Sequence, residues 1–188
     1  MNKDKILLLT LSVACFAIAY NLYPSATIPE GMHKDPSTGE AMLLNKIKIS
    51  ELQSSPFDSW FNTEFEEYQL DSELLLAIED FDNVKVEVFL GTWCKDSRRE
   101  VPRAKKIFDN LGLNENQITW ICVDRDKISP DGQEKNKQIN YVPTFIFSKN
   151  NVEIGRIVES PSSQTASLES DIFEISLGIP PAPNYSNQ

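Results

Sequence analysis

The chain has 188 residues, 40% of them hydrophobic, which is enough for one domain of ordinary size with its own core plus flanking segments. Twenty-eight acidic residues against 18 basic ones give a formal net charge of −10, so the protein's own field opposes binding to a phosphate backbone and nucleic acid is not an expected partner. Because His33 is the only histidine, a Cys/His zinc site or a Cys–His nucleophile pair has almost nothing to work with, and we expect no metal and no cofactor.

Residues 1–23 have the layout of an export signal. Basic residues precede an apolar run from Ile6 to about Tyr20, and Ala17 to Ala19 offer small residues for cleavage. This pattern favours a cleaved signal peptide. An uncleaved membrane anchor through residues 5–23 is the alternative, because the run extends to nearly membrane length, and lipidation at Cys15 is a third interpretation. Each of them implies export to the periplasm or cell envelope, with a tether to the inner membrane in the anchored case.

Between this segment and the chain end the sequence predicts one ordered domain, residues 59–179. Residues 24–58 carry prolines, glycines and mixed charge, which indicate a spacer, and the alternating piece LLNKIKISEL within it suggests an edge strand. Asp71 followed by a serine predicts the N-cap of a helix that runs to about Asp80. Residues 180–188 are predicted to be a disordered tail.

The middle of the chain predicts a β-α-β-α order. VKVEVFL at Val84–Leu90 alternates as a strand does, and a helical pattern follows from Cys94 to about Asn110. ITWICVD at Ile118–Asp124 is a second β-rich run, and Ser129–Asn140 indicates a loop that leads into a short helix.

A hairpin and a last helix complete the prediction. Thr144–Ser148 and Val152–Glu159 indicate two strands joined around Lys149, Asn150 and Asn151. The apolar spacing from Leu168 to Leu177, behind serine caps and before a glycine, predicts a terminal helix.

Cys94 stands where a sulfur is easily activated. At the first turn of a helix, unpaired backbone N–H groups and the positive end of the dipole favour thiolate over thiol. The neighbouring Lys95, Arg98 and Arg99 act in the same direction and Asp96 acts against it. The basic side chains of this helix are otherwise interpreted as a solvated face rather than as an anion site.

Cys122 is interpreted as a core residue, because it lies inside an apolar strand run. Once the N-terminal segment is removed, Cys94 and Cys122 are the remaining cysteines, and two cysteines make no disulfide scaffold.

The motifs of the chain resemble those of the thioredoxin-like superfamily. WCKDS at Trp93–Ser97 aligns with the family's W-C-x-x-C at the strand-to-helix turn, Pro102 matches the proline that kinks the active-site helix, and YVPTFIF at Tyr141–Phe147 matches the segment with a cis proline before the hairpin. The match covers about residues 84–178 and looks most like exported bacterial members. It implies an α/β, thioredoxin-like fold with a central mixed β-sheet flanked by helices, preceded by the N-terminal segment and the spacer.

The same resemblance assigns roles to residues. It implies that Cys94 is the nucleophile and that Trp93, Val142, Pro143 and Thr144 form the groove that binds substrate. Pro143 is expected to be cis and to place the backbone of Val142 beside the sulfur, where it could pair with an extended substrate strand.

Two departures from the family define the chemistry that remains. Ser97 stands where the second cysteine would be, and its hydroxyl cannot form a disulfide but can donate a hydrogen bond to a Cys94 thiolate. Val88 stands where thioredoxins carry a buried carboxylate that helps the resolving thiol. Dithiol turnover is therefore excluded at this motif.

The sequence thus predicts an exported monothiol thiol–disulfide oxidoreductase, of isomerase or deglutathionylase type. Cys94 would form a mixed disulfide that an external thiol reductant releases, and the partners would be proteins or small molecules bearing disulfides or thiols. The alternative is a redox-inactive thioredoxin-fold module for peptide binding or chaperone-like work. Peroxide reduction through a sulfenic acid is disfavoured, since GTWC lacks the arrangement found in peroxiredoxins.

Overall fold

A computed structural model describes residues 28–79, 81 and 83–186, and those from Met32 onward belong to one unit. The predicted signal or anchor segment, residues 1–23, lies outside the described residues. Within the described ranges no helix combines the length and the apolar character that crossing a bilayer requires.

The described residues form short elements near the N-terminus and longer ones from the middle of the chain onward. In chain order they are β1 (His33–Lys34), β2 (Ala41–Met42), β3 (Asn45–Ile47), α1 (Ile49–Leu52), α2 (Asp58–Glu67), α3 (Ser72–Ala77), β4 (Val84–Leu90), α4 (Lys95–Asn110), β5 (Ile118–Cys122), β6 (Thr144–Lys149), β7 (Val152–Val158) and α5 (Leu168–Ser176).

In the described part of the chain a mixed sheet forms in the order β3-β5-β4-β6-β7. The central strand β4 runs parallel to β5 and antiparallel to β6, so that Val88 lies opposite both Trp120 and Phe145. Strands β6 and β7 form the predicted hairpin, whose turn uses positive φ angles at Asn150 and Asn151. This central mixed sheet with flanking helices is compatible with a thioredoxin-like fold.

Aromatic side chains fill the space between α4 and the sheet. Phe108 of α4 is fully buried, and its ring centroid lies 6.3 Å from Trp120, 6.5 Å from Phe145 and 6.2 Å from Phe147. The last two contacts are edge-on, the geometry that aromatic pairs favour. Since the strand residues come from β5 and β6, this one ring ties the helix to both neighbours of β4.

The predicted spacer contributes to the folded core. Strand β3 pairs antiparallel with β5, placing Asn45 opposite Cys122, so the edge-strand prediction is confirmed. Apolar side chains on both sides of this strand are buried in the main core: Leu43, Ile47, Ile49, Leu52 and Phe57. The folded part of the chain therefore begins before the predicted boundary at residue 59, because the apolar residues between the breakers are numerous enough to join the core.

Two helix predictions need correction. The helix capped by Asp71 starts as predicted, with the carboxylate accepting from Leu74 N–H at 3.1 Å, but it ends at Ala77 rather than near Asp80. The short helix predicted before Asn140 is wrong. In that segment the Ser129 hydroxyl donates to Glu134 at 2.6 Å, and such local side-chain bonds compete with helix formation.

The predicted disordered tail is packed against the fold as far as Ser186. The Asn184 amide donates to the carbonyl oxygens of Val158 and Ser160, both at 3.1 Å. The Tyr185 ring stacks on Tyr141 with 4.1 Å between centroids. The hydrogen bonds of Asn184 and the stacking of Tyr185 hold this segment against the fold. The prediction of disorder is therefore wrong for the described part of the tail.

Phe108→Ala tests the importance of the helix–sheet contact. Removing a fully buried ring leaves a cavity, so the free energy of unfolding should fall by about 3–5 kcal/mol in urea denaturation. Leu76→Ala is the matched control, since Leu76 is 86% exposed and its truncation should change stability little. Equal losses for the two variants would contradict the assigned core.

Candidate functional site

Cys94 is the N-cap residue of α4, with an extended backbone at φ −88° and ψ 129°. Its N–H donates to Gly91 O at 2.9 Å, and its own carbonyl accepts the N–H of Arg98 at 3.0 Å. The sulfur is partly buried, and Sγ donates to Val142 O at 3.1 Å. The thiol therefore sits at the positive end of a helix, with a carbonyl from a loop 48 residues away as its hydrogen-bond partner.

The loop that meets the sulfur has a cis peptide bond between Val142 and Pro143, as predicted. Val142 is buried in a small apolar cluster against which Trp93 and Cys94 pack, so three of the predicted site residues come together. Thr144 is buried as well, and its hydroxyl donates to Tyr141 O at 2.8 Å. The Thr144 side chain thus stabilises the loop that carries Val142 and Pro143.

The indole of Trp93 is held at its edge and on its face. Nε1 donates to Val123 O at 2.9 Å, and the guanidinium carbon of Arg125 lies 5.0 Å from the ring centroid. On the backbone side the ring passes so close to Gly91 that an added Cβ there would be 2.5 Å from Cε2 of the indole. Gly91 is therefore the residue that leaves room for Trp93 beside Cys94.

Ser97 is fully buried at the third position of α4. Ser97 follows the N-cap residue Cys94 by three positions, so both residues belong to the start of α4. Ser97 Oγ accepts from Gly91 N–H at 3.2 Å. That bond uses an oxygen lone pair and leaves the hydroxyl hydrogen for a donor role.

Pro102 lies inside α4 and is buried. A proline there has no N–H to give to the carbonyl four residues earlier, which is the physical basis of the predicted kink.

The arginines beside the site are paired with acids. Arg98 lies 3.5 Å from Glu40, and Arg99 lies 2.7 Å from Asp96 and 2.5 Å from Glu100. Glu100 is buried, and burial raises the pKa of its carboxyl while the hydrogen bond from Arg99 opposes that shift. The nearby acids therefore offset part of the positive charge that these arginines bring to the start of α4.

Cys122 is fully buried in β5, opposite Leu90 of β4. Burial strongly raises the pKa of its thiol, as expected for a packing residue rather than a nucleophile. In the ranges that the structure describes, no three His, Cys, Asp or Glu side chains are grouped closely enough to hold a metal ion.

The sequence prediction missed an ion pair next to Trp93, between the buried Asp35 and the partly exposed Arg125. Asp35 accepts from Arg125 Nε and Nη2, both at 2.8 Å, and also from Ser37 N–H and the Thr38 hydroxyl. The Arg125 hydrogen bonds hold the pKa of the Asp35 carboxyl well below its usual range. The partners are 90 residues apart and belong to no motif. Two features of the sequence could have indicated this pair. Arg125 directly follows Val123 and Asp124, which end the second β-rich run, and Asp35 is surrounded by turn-forming residues.

No family model matches the chain, and no curated protein is similar to it. Two solved structures resemble it weakly. A protein of unknown function from Pseudomonas aeruginosa is 16% identical with a TM-score of 0.44, over 64% of this chain and 80% of that one. Mitochondrial thioredoxin 3 from Saccharomyces cerevisiae, in its oxidised form, is 22% identical with a TM-score of 0.31, over 50% of this chain and 86% of that one. Similarity at this level says nothing about activity.

Gly91→Ala should displace the indole of Trp93, because the new methyl group and the ring cannot occupy the same space. We expect lower stability and a red-shifted Trp93 fluorescence, taken as the difference between each chain and the same chain with Trp93→Phe. In the double variant Gly91→Ala/Trp93→Phe the smaller ring should recover part of the lost stability. Additive losses in that double-mutant cycle would show that the two residues do not compete for space.

Asp35→Asn should destabilise the protein in a pH-dependent way. Because the pKa of Asp35 is lowered below its ordinary value of 3.8, the carboxylate adds stability above that value and loses it as the pH falls through the folded-state pKa. The wild type should therefore exceed Asp35→Asn in free energy of unfolding by the largest amount at neutral pH. This difference should become smaller as the pH is lowered below 3.8. Urea denaturation across that range measures it, and a constant difference would contradict the ionised pair.

Proposed function

We propose that this chain is an exported, thioredoxin-like thiol–disulfide oxidoreductase that works through Cys94 alone. The observation that carries the proposal is the position of Cys94: it is the N-cap residue of α4, and its sulfur lies 3.1 Å from the carbonyl oxygen that precedes the cis proline. A helix N-terminus favours the thiolate that disulfide exchange requires.

The reaction consists of two thiol–disulfide exchanges. The Cys94 thiolate attacks one sulfur of a substrate disulfide, an S–S bond forms between Cys94 and that sulfur, and the other substrate sulfur leaves as a thiolate that takes up a proton. An external thiolate then attacks the mixed disulfide and releases Cys94. Because Ser97 cannot form a disulfide, the second step needs this outside thiol.

The Val142 carbonyl changes its hydrogen-bond partner during the first step. As a thiol, Cys94 donates to the Val142 carbonyl; a thiolate has no hydrogen to donate, so that carbonyl becomes available to a backbone N–H of an extended substrate. Activation of the sulfur and exposure of a strand-pairing acceptor are thus coupled. This coupling favours a protein or peptide as the disulfide-bearing partner.

Export, which the sequence of residues 1–23 predicts, fits this assignment, because secreted and cell-envelope proteins carry the disulfides that such an enzyme exchanges. The proposal includes a cleaved signal or a membrane tether within residues 1–23. If Cys94 is inert, the same loop would instead serve a redox-inactive peptide-binding or chaperone-like module, and the experiment below separates the two.

Trapping of adducts tests the nucleophile. The chain purified without reductant and treated with oxidised glutathione should gain a mixed disulfide on Cys94 by mass spectrometry. Cys94→Ala should lose that adduct, whereas Cys122→Ala should keep it, because Cys122 is fully buried. Absence of any adduct on Cys94, with unchanged peptide binding in Cys94→Ala, would favour the redox-inactive module.

Ser97→Cys tests whether the missing resolving group explains the single-thiol chemistry. A cysteine at this buried position, three residues after Cys94, restores the C-x-x-C spacing, so the variant should gain dithiol reductase activity in an insulin turbidity assay. The control is Ser97→Ala, which also replaces the hydroxyl but adds no thiol and should gain nothing. Failure of Ser97→Cys to form an internal disulfide with Cys94 under oxidising conditions would contradict the proposed geometry.

A further inference from the structure

The turn that precedes Cys94 is contacted by the N-terminal segment His33–Leu43, which lies before the predicted domain. Within this segment β1 and β2 pair antiparallel, and the intervening turn is closed by Asp35 N–H to Glu40 O and Gly39 N–H to Asp35 O, both at 2.8 Å. Three separate contacts run from this hairpin to Thr92 and Trp93.

The first contact reaches the face of Trp93. Asp35 is buried and binds Arg125 through two parallel hydrogen bonds of 2.8 Å, and Arg125 lies over the indole at 5.0 Å. Ser37 and Thr38 donate to the same carboxylate, so the anion is held by its own turn. A planar guanidinium suits both tasks, since it pairs bidentately with a carboxylate and stacks on an aromatic face.

The second and third contacts reach Thr92. Arg98 Nε donates to the Thr92 carbonyl at 2.6 Å, and the same guanidinium lies 3.5 Å from Glu40 of the hairpin. The Thr92 side chain is fully buried, and its hydroxyl oxygen accepts from Leu43 N–H at 3.3 Å. The hairpin thus binds the Thr92 side chain directly through Leu43, and it reaches the Thr92 carbonyl only indirectly, through the ion pair of Glu40 with Arg98 of α4.

We propose that the hairpin His33–Leu43 is a clasp that positions the nucleophile, with Asp35 and Arg125 as positioning residues acting through Trp93. The clasp holds the Thr92–Trp93 turn, and that turn sets the start of α4 because Cys94 N–H donates to Gly91 O. Its effect on turnover rests on the proposed function, whereas its effect on the position of Trp93 and on the reactivity of the thiol does not.

The sign of the charge effect separates positioning from simple electrostatics. Asp35 is an anion near the site, so removing its charge would favour a thiolate at Cys94 and speed its reactions if charge alone mattered. If the carboxylate acts by holding Arg125 on Trp93, removing it should slow them. The two accounts therefore predict opposite changes for Asp35→Asn.

The test measures the rate at which Cys94 reacts with dithiobis(nitrobenzoate), a small aromatic disulfide that releases a coloured thiolate. In the full chain, Asp35→Asn should slow this reaction roughly two- to fivefold, the factor that corresponds to a cation–π contact of ordinary strength. Arg125→Lys keeps the positive charge but loses the bidentate fork, so it should slow the reaction as well.

Acrylamide quenching of Trp93 gives a second readout that does not depend on the thiol. The Trp93 signal is the difference between each chain and the same chain with Trp93→Phe, and it should be quenched more strongly in Asp35→Asn and in Arg125→Lys. Glu153→Gln is the matched control. It breaks a bidentate pair with Arg156, at 2.6 Å for both bonds, that has no contact with Trp93 among the described residues.

The outcomes decide the proposal. Slower reaction with stronger quenching in both variants, against no change in Glu153→Gln, supports the clasp. A faster or unchanged reaction in Asp35→Asn, or quenching no different from that of the control, overturns it. If Asp35→Asn fails to fold, Arg125→Lys alone is scored by the same criteria. A chain that shows the clasp effects but forms no adduct with oxidised glutathione would overturn only the proposed function.

Discussion

The contact between the Cys94 sulfur and the Val142 carbonyl depends on the pairing of β4 with β6. Phe89 lies opposite Thr144 in that antiparallel pair, so the strand that leads into the Cys94 turn ends where the strand that follows the cis proline begins. The arrangement of the site follows from this pairing of β4 with β6. The helix end, the indole and the loop carbonyl converge because β4 is the central strand and both of its neighbours are buried against the same core.

Under the proposed function, Cys94 forms a bond to a substrate sulfur, and its motif holds no second cysteine to break that bond. Ser97 is small and buried in the first turn of α4, and its hydroxyl oxygen accepts a hydrogen bond from Gly91 N–H. Val88, where a carboxylate would stand in a dithiol enzyme, is buried between Trp120 and Phe145. Both positions therefore contribute to packing, and under the proposed function a second molecule resolves the adduct.

Both ends of the described chain fold back towards this region. The hairpin that carries Asp35 reaches Trp93 through Arg125, and Tyr185 stacks on Tyr141, next to the loop that meets the sulfur. Segments that look like spacer and tail thus surround the site with contacts that are polar or aromatic. Such contacts require few apolar residues, which agrees with the short segments rich in proline and glycine near both ends.

The sequence by itself determined the strand Val84–Leu90, the helix that Cys94 caps, the hairpin and the last helix, since each is written in local periodicity, capping and turn residues. It also placed Trp93, Cys94, Ser97 and the cis proline through their motif. Only the tertiary structure decided the rest: the Asp35–Arg125 pair, the burial of β3 against β5, and the packing of Asn184 and Tyr185. These depend on partners tens of residues away whose meeting is set by sheet order and burial, and no local pattern encodes which distant donor or ring will be near.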